Sequence, residues 1–413
     1  MSPKNIQRVK AACYTTNVTM AVIGNLSPVL FITFRNLYGI SYSLLGMLVL
    51  INFFTQLIVD LVFSLFSHKF NIPLAVKVTP ILAVGGLILY ALAPFLFPGA
   101  VYAGLVIGTV IFSAASGFAE VLISPTIAAI PSKDPDREMS KLHSIYAWGV
   151  VGVVIVSTLF LTLVEAKYWQ ILPAFFALIP LLAALLFAGC DVPSMGTPEK
   201  TSGVLQYFRR PTLWLCVVAI FLGGATECTM AQWCSGYLEK ALQIPKMWGD
   251  IFGVALFGVM LGLGRSLYAK IGKNIGKVLF WGAIGASACY LVAALCPIPV
   301  IGLFACAFTG FCASMMWPGC LVVAEERMPD AGVFIFAMMA AGGDLGASVG
   351  PQLVGVITDA VIANPAALRL ATELSLTVEQ LGMKTGMLVG SLFPIVGIVV
   401  YSVVRRSLKK KEA

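Results

Sequence analysis

Residues 117–125 read "GFAEVLISP" and residues 310–318 read "GFCASMMWP". Both are Gly-Phe, six residues, then Pro, at an offset of 193. Further on, Gly149 and Gly152 echo Gly343 and Gly346 at an offset of 194. Two consecutive echoes at nearly one spacing mark a duplicated unit, so the 413 residues read as two halves of similar build.

The halves lie in a chain that is 59% hydrophobic and 11% charged, with a mean hydropathy of +0.94. Soluble domains carry about a quarter charged residues. Runs of about 20 apolar residues suffice to cross a bilayer as helices. Twelve are present, at 11–34, 42–66, 74–96, 100–130, 142–164, 169–189, 212–237, 248–270, 277–296, 298–323, 332–362 and 385–404. They are too long and too uniform to alternate like barrel strands. The expected fold is all-α and integral to the membrane. It places twelve transmembrane helices in two pseudo-symmetric six-helix bundles, 1–189 and 212–413, joined by a polar, Pro- and Gly-containing linker, 190–211. Duplicated halves around a midplane site are the build of secondary transporters. Asn364-Pro365 in the long connection 363–384 signals a short helix start.

With the N-terminus placed in the cytoplasm, 21 of the 27 Lys and Arg residues fall in cytoplasmic connections and tails. That bias predicts both termini inside, and a multi-pass protein of the cell membrane. It also accounts for the net charge of +8, so no nucleic-acid partner is expected. The ten cysteines are scattered through apolar runs, and only two histidines are present. No metal site, cofactor or enzyme chemistry is indicated, since neither a metal cluster nor a nucleophile–base pair is visible.

Polar groups inside spans are costly and usually face the bundle interior. Glu120 is the one charge between Ala100 and Ile130, with Ser116 and Ser124 a turn away on the same face. Glu227 lies in "FLGGATECTMAQWCSGYL", followed by Gln232 and Trp233. Gln232 falls about 140° from Glu227 around an ideal helix. In the second span Asn52, Gln56, Asp60, Ser64 and His68 recur every four residues. Asn52 and Gln56 sit at mid-depth and suit ligand contact; Asp60 suits a cytoplasmic-side gate. Gly342, Gly346 and Gly350 form a close-packing face beside Asp344, which orients that contact or lines the cytoplasmic path. Gly258 and Gly262 read as a similar packing pair. Trp317, before Pro318, is too deep for an interface belt and reads as cavity-lining.

Twelve spans with basic connections after the second and eighth resemble the major facilitator superfamily. The second half carries "GLGRSLYAKIGKNIGK", 262–277, in which Lys270, Gly272 and Lys273 match that family's signature while Ala269 replaces its Asp. In the first half, "SLFSHKFNIP" has Ser67-His68 in place of Asp-Arg. Gly117, Glu120, Ser124 and Pro125 are similar to the fucose permease-like sugar transporter branch. So are Leu142, His143, Ser144, Tyr146 and Gly149; Gly224, Glu227, Trp233 and Tyr237; and Trp317-Pro318. The resemblance implies that Glu120 carries the coupling proton, with Glu227 a second coupling candidate. The expected substrate site is drawn from Asn17, Asn25, Asn52, Gln56, Gln232, Trp233, Trp317, Tyr146 and Trp148. Gating falls to Asp60, His143, Arg265, Asp344 and Lys270. The branch places an acid in the first span; here only Asn17 and Asn25 stand there.

The expected activity is alternating-access transport of a small polar solute, with a sugar favoured, by a monomer. The coupling ion is a proton, or sodium. The alternative is proton-antiport export of apolar or cationic compounds; the carboxamides Asn17, Asn25, Asn52, Gln56 and Gln232 favour a hydroxyl-rich solute.

Overall fold

In lipid a backbone must satisfy its own hydrogen bonds, so each apolar run becomes a helix. The computed structural model describes residues 2–66, 69–131, 135–193, 207–272, 274–328 and 333–412. The first half contains α1 (Pro3–Tyr38), α2 (Tyr42–Phe66), α3 (Ile72–Leu96), α4 (Val101–Ala128), α5 (Pro135–Leu163), α6 (Ile171–Phe176) and α7 (Leu178–Ala188). The second contains α8 (Pro211–Lys240), α9 (Lys246–Gly249), a π-helical turn (Asp250–Ala255), α10 (Leu256–Ile271), α11 (Ile275–Leu295), α12 (Pro299–Ala313) and α13 (Met316–Arg327). It ends with α14 (Val333–Ile362), α15 (Pro365–Glu373), α16 (Val378–Gly390) and α17 (Leu392–Glu412).

Eleven segments among the described residues are long and apolar enough to cross a membrane. The fifth span adds the shorter apolar stretch Trp148–Leu163, which gives the expected twelve. The predicted short helix is α15: the Asn364 side chain accepts from the Ala366 amide at 3.0 Å and starts it.

The chain forms two compact units. One comprises residues 1–38 and 51–201, the other residues 39–50 and 202–413. In the first, α1 packs on α4, α5 and α7, and α3 on α4. Gly86 and Gly108 make the α3–α4 contact possible: a Cβ at either would lie 2.5 Å from the Phe112 nitrogen or 2.9 Å from Tyr90. Arg8 donates to the Leu185 and Leu186 carbonyls at 2.9 Å and so caps the end of α7.

In the second unit α8 is central, packing against α12, α13, α14 and α17. Gly342, Gly346 and Gly350 face it, against Val217, the Phe221 carbonyl and Thr229. The small-residue stripe is therefore a packing face, as its spacing predicts. Gly258 and Gly262 are not: a Cβ at either would meet nothing within 4 Å. Equal spacing cannot say whether a neighbouring helix is there to receive it.

Residues 39–50 belong with the second unit for a local reason. The amides of Tyr42 and Ser43, the first donors of α2, give hydrogen bonds to the Asp359 carboxylate of α14 at 3.2 and 2.6 Å. The Tyr42 hydroxyl donates to Glu379 of α16 at 2.9 Å. A carboxylate at a helix N-terminus satisfies orphan amides and complements the dipole.

Large apolar side chains such as Leu74, Ile81, Phe95, Leu185 and Val399 are exposed, while Asn52, Gln56, Asp60, Asp250 and Asp344 are buried. This inversion of a soluble protein's pattern suits a lipid surround with polar side chains turned inward.

Candidate functional site

In the first unit the α2 stripe faces α4. Gly117 permits the approach: a Cβ there would lie 3.0 Å from the Val59 Cβ and 3.2 Å from the Gln56 Cα. One turn earlier on α4, the Ser113 hydroxyl donates to Asn52 Oδ1 at 2.6 Å. Gln56 Nε2 donates to the same oxygen at 3.2 Å. One turn later comes Glu120. A carboxylate oxygen of Glu120 lies within 4.8 Å of one from Asp60. Asp60 is buried, whereas Glu120 is exposed at the surface of its unit. The stripe's mid-depth carboxamides and its acid thus form one continuous polar face with the α4 glutamate. Among the described residues no hydrogen bond joins Ser116 or Ser124 to Glu120, so the partners expected from their spacing are not used. His68 lies outside the described residues.

The other first-unit candidates are dispersed. Buried Asn17 donates to the Leu142 carbonyl at 2.6 Å and ties α1 to α5. Asn25 donates to the Ala21 carbonyl of its own helix at 2.9 Å. The Tyr146 hydroxyl lies beside Gly24, 3.7 Å from where a Cβ would stand. Trp148, two residues on, falls about 200° away around the helix and is 73% exposed. Tyr146 and Trp148 therefore lie on different faces of α5. The His143 side chain lies outside the described residues.

In the second unit Glu227 meets Arg265. Arg265 Nη2 lies 3.3 Å from each Glu227 carboxylate oxygen. Its Nε donates to the Ser314 carbonyl at 3.0 Å. Ser314 lies where the tenth span breaks between α12 and α13. Pro318, four residues on, has no N–H to offer that oxygen. The repeat motif's proline thus leaves a carbonyl that anchors an arginine. Sequence spacing pointed to Glu227 and Arg265 singly; the proline was the available signal for the anchor.

Trp317 lies across Gly224 and Gly343, its ring atoms 3.0 and 2.5 Å from the positions of their absent Cβ atoms. Asp344 is buried next to that contact. Gln232 is buried. Trp233 is wholly buried, donates to the Pro351 carbonyl at 2.8 Å and packs near Tyr42. It is a core residue, not a lining one, because every face of its ring is covered. Lys270 is exposed in the last turn of α10, away from any described partner.

The sequence pattern of the Major Facilitator Superfamily matches residues 12–351. An uncharacterised MFS-type transporter of Yersinia pestis is 24% identical over 259 residues, covering 62% of this chain and 66% of that protein. Among solved structures, a bacterial homologue of the human lysosomal transporter Spinster superposes with a TM-score of 0.75 at 12% identity, covering 98% of each chain. The nucleoside transporter NupG gives 0.73 at 11% identity, covering 97% of this chain and 99% of its own. FucP gives 0.63 at 15% identity, covering 96% and 98%. At these identities the structures share the fold alone, and FucP is not set apart from the others. A match across most of the chain, on twelve spans in two units, places this protein in the Major Facilitator Superfamily.

Proposed function

We propose that the protein is a secondary transporter of a small polar solute, with a sugar skeleton favoured, and that Asp60 and Glu120 carry its coupling proton. The observation that carries this reading is the approach of the two carboxylates within 4.8 Å. Two carboxylates that close hold one proton at lower cost than two negative charges. Burial of Asp60 and exposure of Glu120 give the shared proton an inner and an outer seat. Asn52, Gln56 and Ser113, already linked to one another, continue this polar face and suit hydroxyl groups. Solute and proton would then load on adjacent parts of α2 and α4. A neutralised pair favours the loaded protein's change of face, and release of the proton restores the charge.

The basic connections place both termini on the cytoplasmic side of the cell membrane in this reading, with a proton rather than sodium as coupling ion and a monomer as the working unit. The segment 190–211 joins the two halves. Within the second unit, Trp317 and Gln232 remain candidates for solute contact, and Asp344 for a cytoplasmic gate.

The test is solute-driven proton movement in proteoliposomes. A solute first identified by thermal stabilisation of the purified protein is added outside, and external pH is followed. Alkalinisation with the wild type, absent with Asp60→Asn and with Glu120→Gln, supports the reading. Uptake without any pH change overturns it.

A further inference from the structure

We infer that the transported solute carries an anionic group, a carboxylate in the simplest case, and that Arg265 is the residue that receives it. The inference deepens the transporter reading above and rests on it.

A guanidinium presents five N–H donors in a planar fork. In Arg265 the fork is only partly used. Nε is fixed from behind by the Ser314 carbonyl at 3.0 Å. Nη2 meets Glu227 end-on, reaching both oxygens at 3.3 Å. Charge-assisted N–H···O bonds are usually shorter, about 2.7–2.9 Å. Nη1 has no hydrogen-bond partner among the described residues. The Arg265 side chain is 43% exposed and that of Glu227 only 15%. The edge formed by Nη1 and Nη2 matches a carboxylate with two parallel bonds; its Nη1 is unused and its Nη2 is held only by long contacts, on the more exposed member of the pair.

A counterion whose only task was to neutralise Glu227 would not need this arrangement. A lysine would supply the charge, and a fork engaged by both nitrogens would supply the strongest pair. Here the anchor at Nε sets the plane of the group, and Glu227 occupies one corner. An incoming carboxylate can take the Nη1–Nη2 edge while Glu227 yields part of its contact with Nη2. Neutral sugars offer nothing that requires a fixed cation in a span, where a charge is costly. Taken with the polar-solute reading above, the fork points to a small hydroxylated carboxylate such as a sugar acid.

The experiment uses the full-length purified protein and two matched pairs of probes, D-glucose with D-glucuronate and glycerol with D-glycerate. The members of each pair differ by a carboxylate in place of a hydroxymethyl group. Thermal stabilisation is measured over a concentration series. For at least one pair, the acid should give equal stabilisation of the wild type at tenfold lower concentration or less. Glu227→Gln should keep that preference and strengthen it severalfold, since the competing carboxylate is gone. The double variant Arg265→Gln/Glu227→Gln removes both members of the ion pair, so neither is left without its partner, and should be stabilised equally by both members of each probe pair. Equal or better binding of the neutral members to the wild type overturns the anionic solute and leaves the transporter reading standing. A preference that survives in the double variant removes Arg265 as its cause. Binding of no member of either pair overturns the inference and counts against the polar-solute reading itself.

Discussion

Arg265 Nε donates to the carbonyl oxygen of Ser314 at 3.0 Å, and Pro318 is the residue that cannot compete for that oxygen. A proline in one span therefore orients a cation in another, and through it the Glu227 carboxylate. Arg265→Lys keeps the charge but lacks the planar fork, so it cannot hold Ser314 and Glu227 together in the same way. Loss of a hydrogen bond to a charged group of this kind costs about 1.5–3 kcal/mol. A lowered melting temperature of the purified variant checks it; a wild-type value would contradict the anchoring role.

Gly117 sets the distance between α2 and α4. Gly117→Ala places a methyl group 3.0 Å from the Val59 Cβ and 3.2 Å from the Gln56 Cα. Overpacking of this sort costs about 1–3 kcal/mol and moves Glu120 away from Asp60. The expected result is a stability loss together with a changed pH dependence of transport. A stability loss with unchanged pH dependence would show that the separation of the two acids does not matter.

Asp359 caps α2 through two amides. Asp359→Ala should cost about 0.5–2 kcal/mol, the usual range for losing a helix cap. Hydrogen exchange should speed up at Tyr42 and Ser43 while the α14 amides stay protected. Unchanged exchange at both amides would contradict the capping role.

Glu138 provides a pH test outside the spans. The Tyr14 hydroxyl at 2.7 Å, followed by the Lys10 ammonium at 2.9 Å, holds its carboxyl below the usual glutamate range. A carboxyl lowered on folding binds fewer protons in the folded state. Its contribution is therefore full above the unfolded value, about 4.3, and fades as pH falls below that toward the folded value. Glu138→Gln should melt below the wild type at pH 7, and the gap should narrow at pH 4. A gap of constant size would show that the ionised carboxylate contributes nothing.

Much of this architecture is legible in the residues. Twelve apolar runs, the basic connections and the echo between Gly117–Pro125 and Gly310–Pro318 specify a duplicated membrane bundle, because lipid permits few alternatives. Isolated acids such as Glu120 and Glu227 stand out for the same reason. What spacing cannot supply is which helix faces which. Gly342 and Gly258 begin similar small-residue stripes, yet only the first has a helix packed on it. Trp233 and Trp148 are both span tryptophans read as lining a substrate site; one is wholly buried and the other 73% exposed. The pairing of Asp60 with Glu120 depends on an α2–α4 approach that rests on one glycine, and no periodicity within either helix records it.

The central claim is that Glu120, with Asp60, carries the coupling proton. It is tested most directly by Glu120→Gln in proteoliposomes. Glutamine keeps the shape and the hydrogen-bonding capacity of the protonated acid, so the variant should fold and bind solute. Accumulation against a gradient and exchange of labelled for unlabelled solute are measured side by side. The account predicts that accumulation is lost while exchange persists, because exchange needs no net proton release. Uphill accumulation by Glu120→Gln at the wild-type level would contradict it.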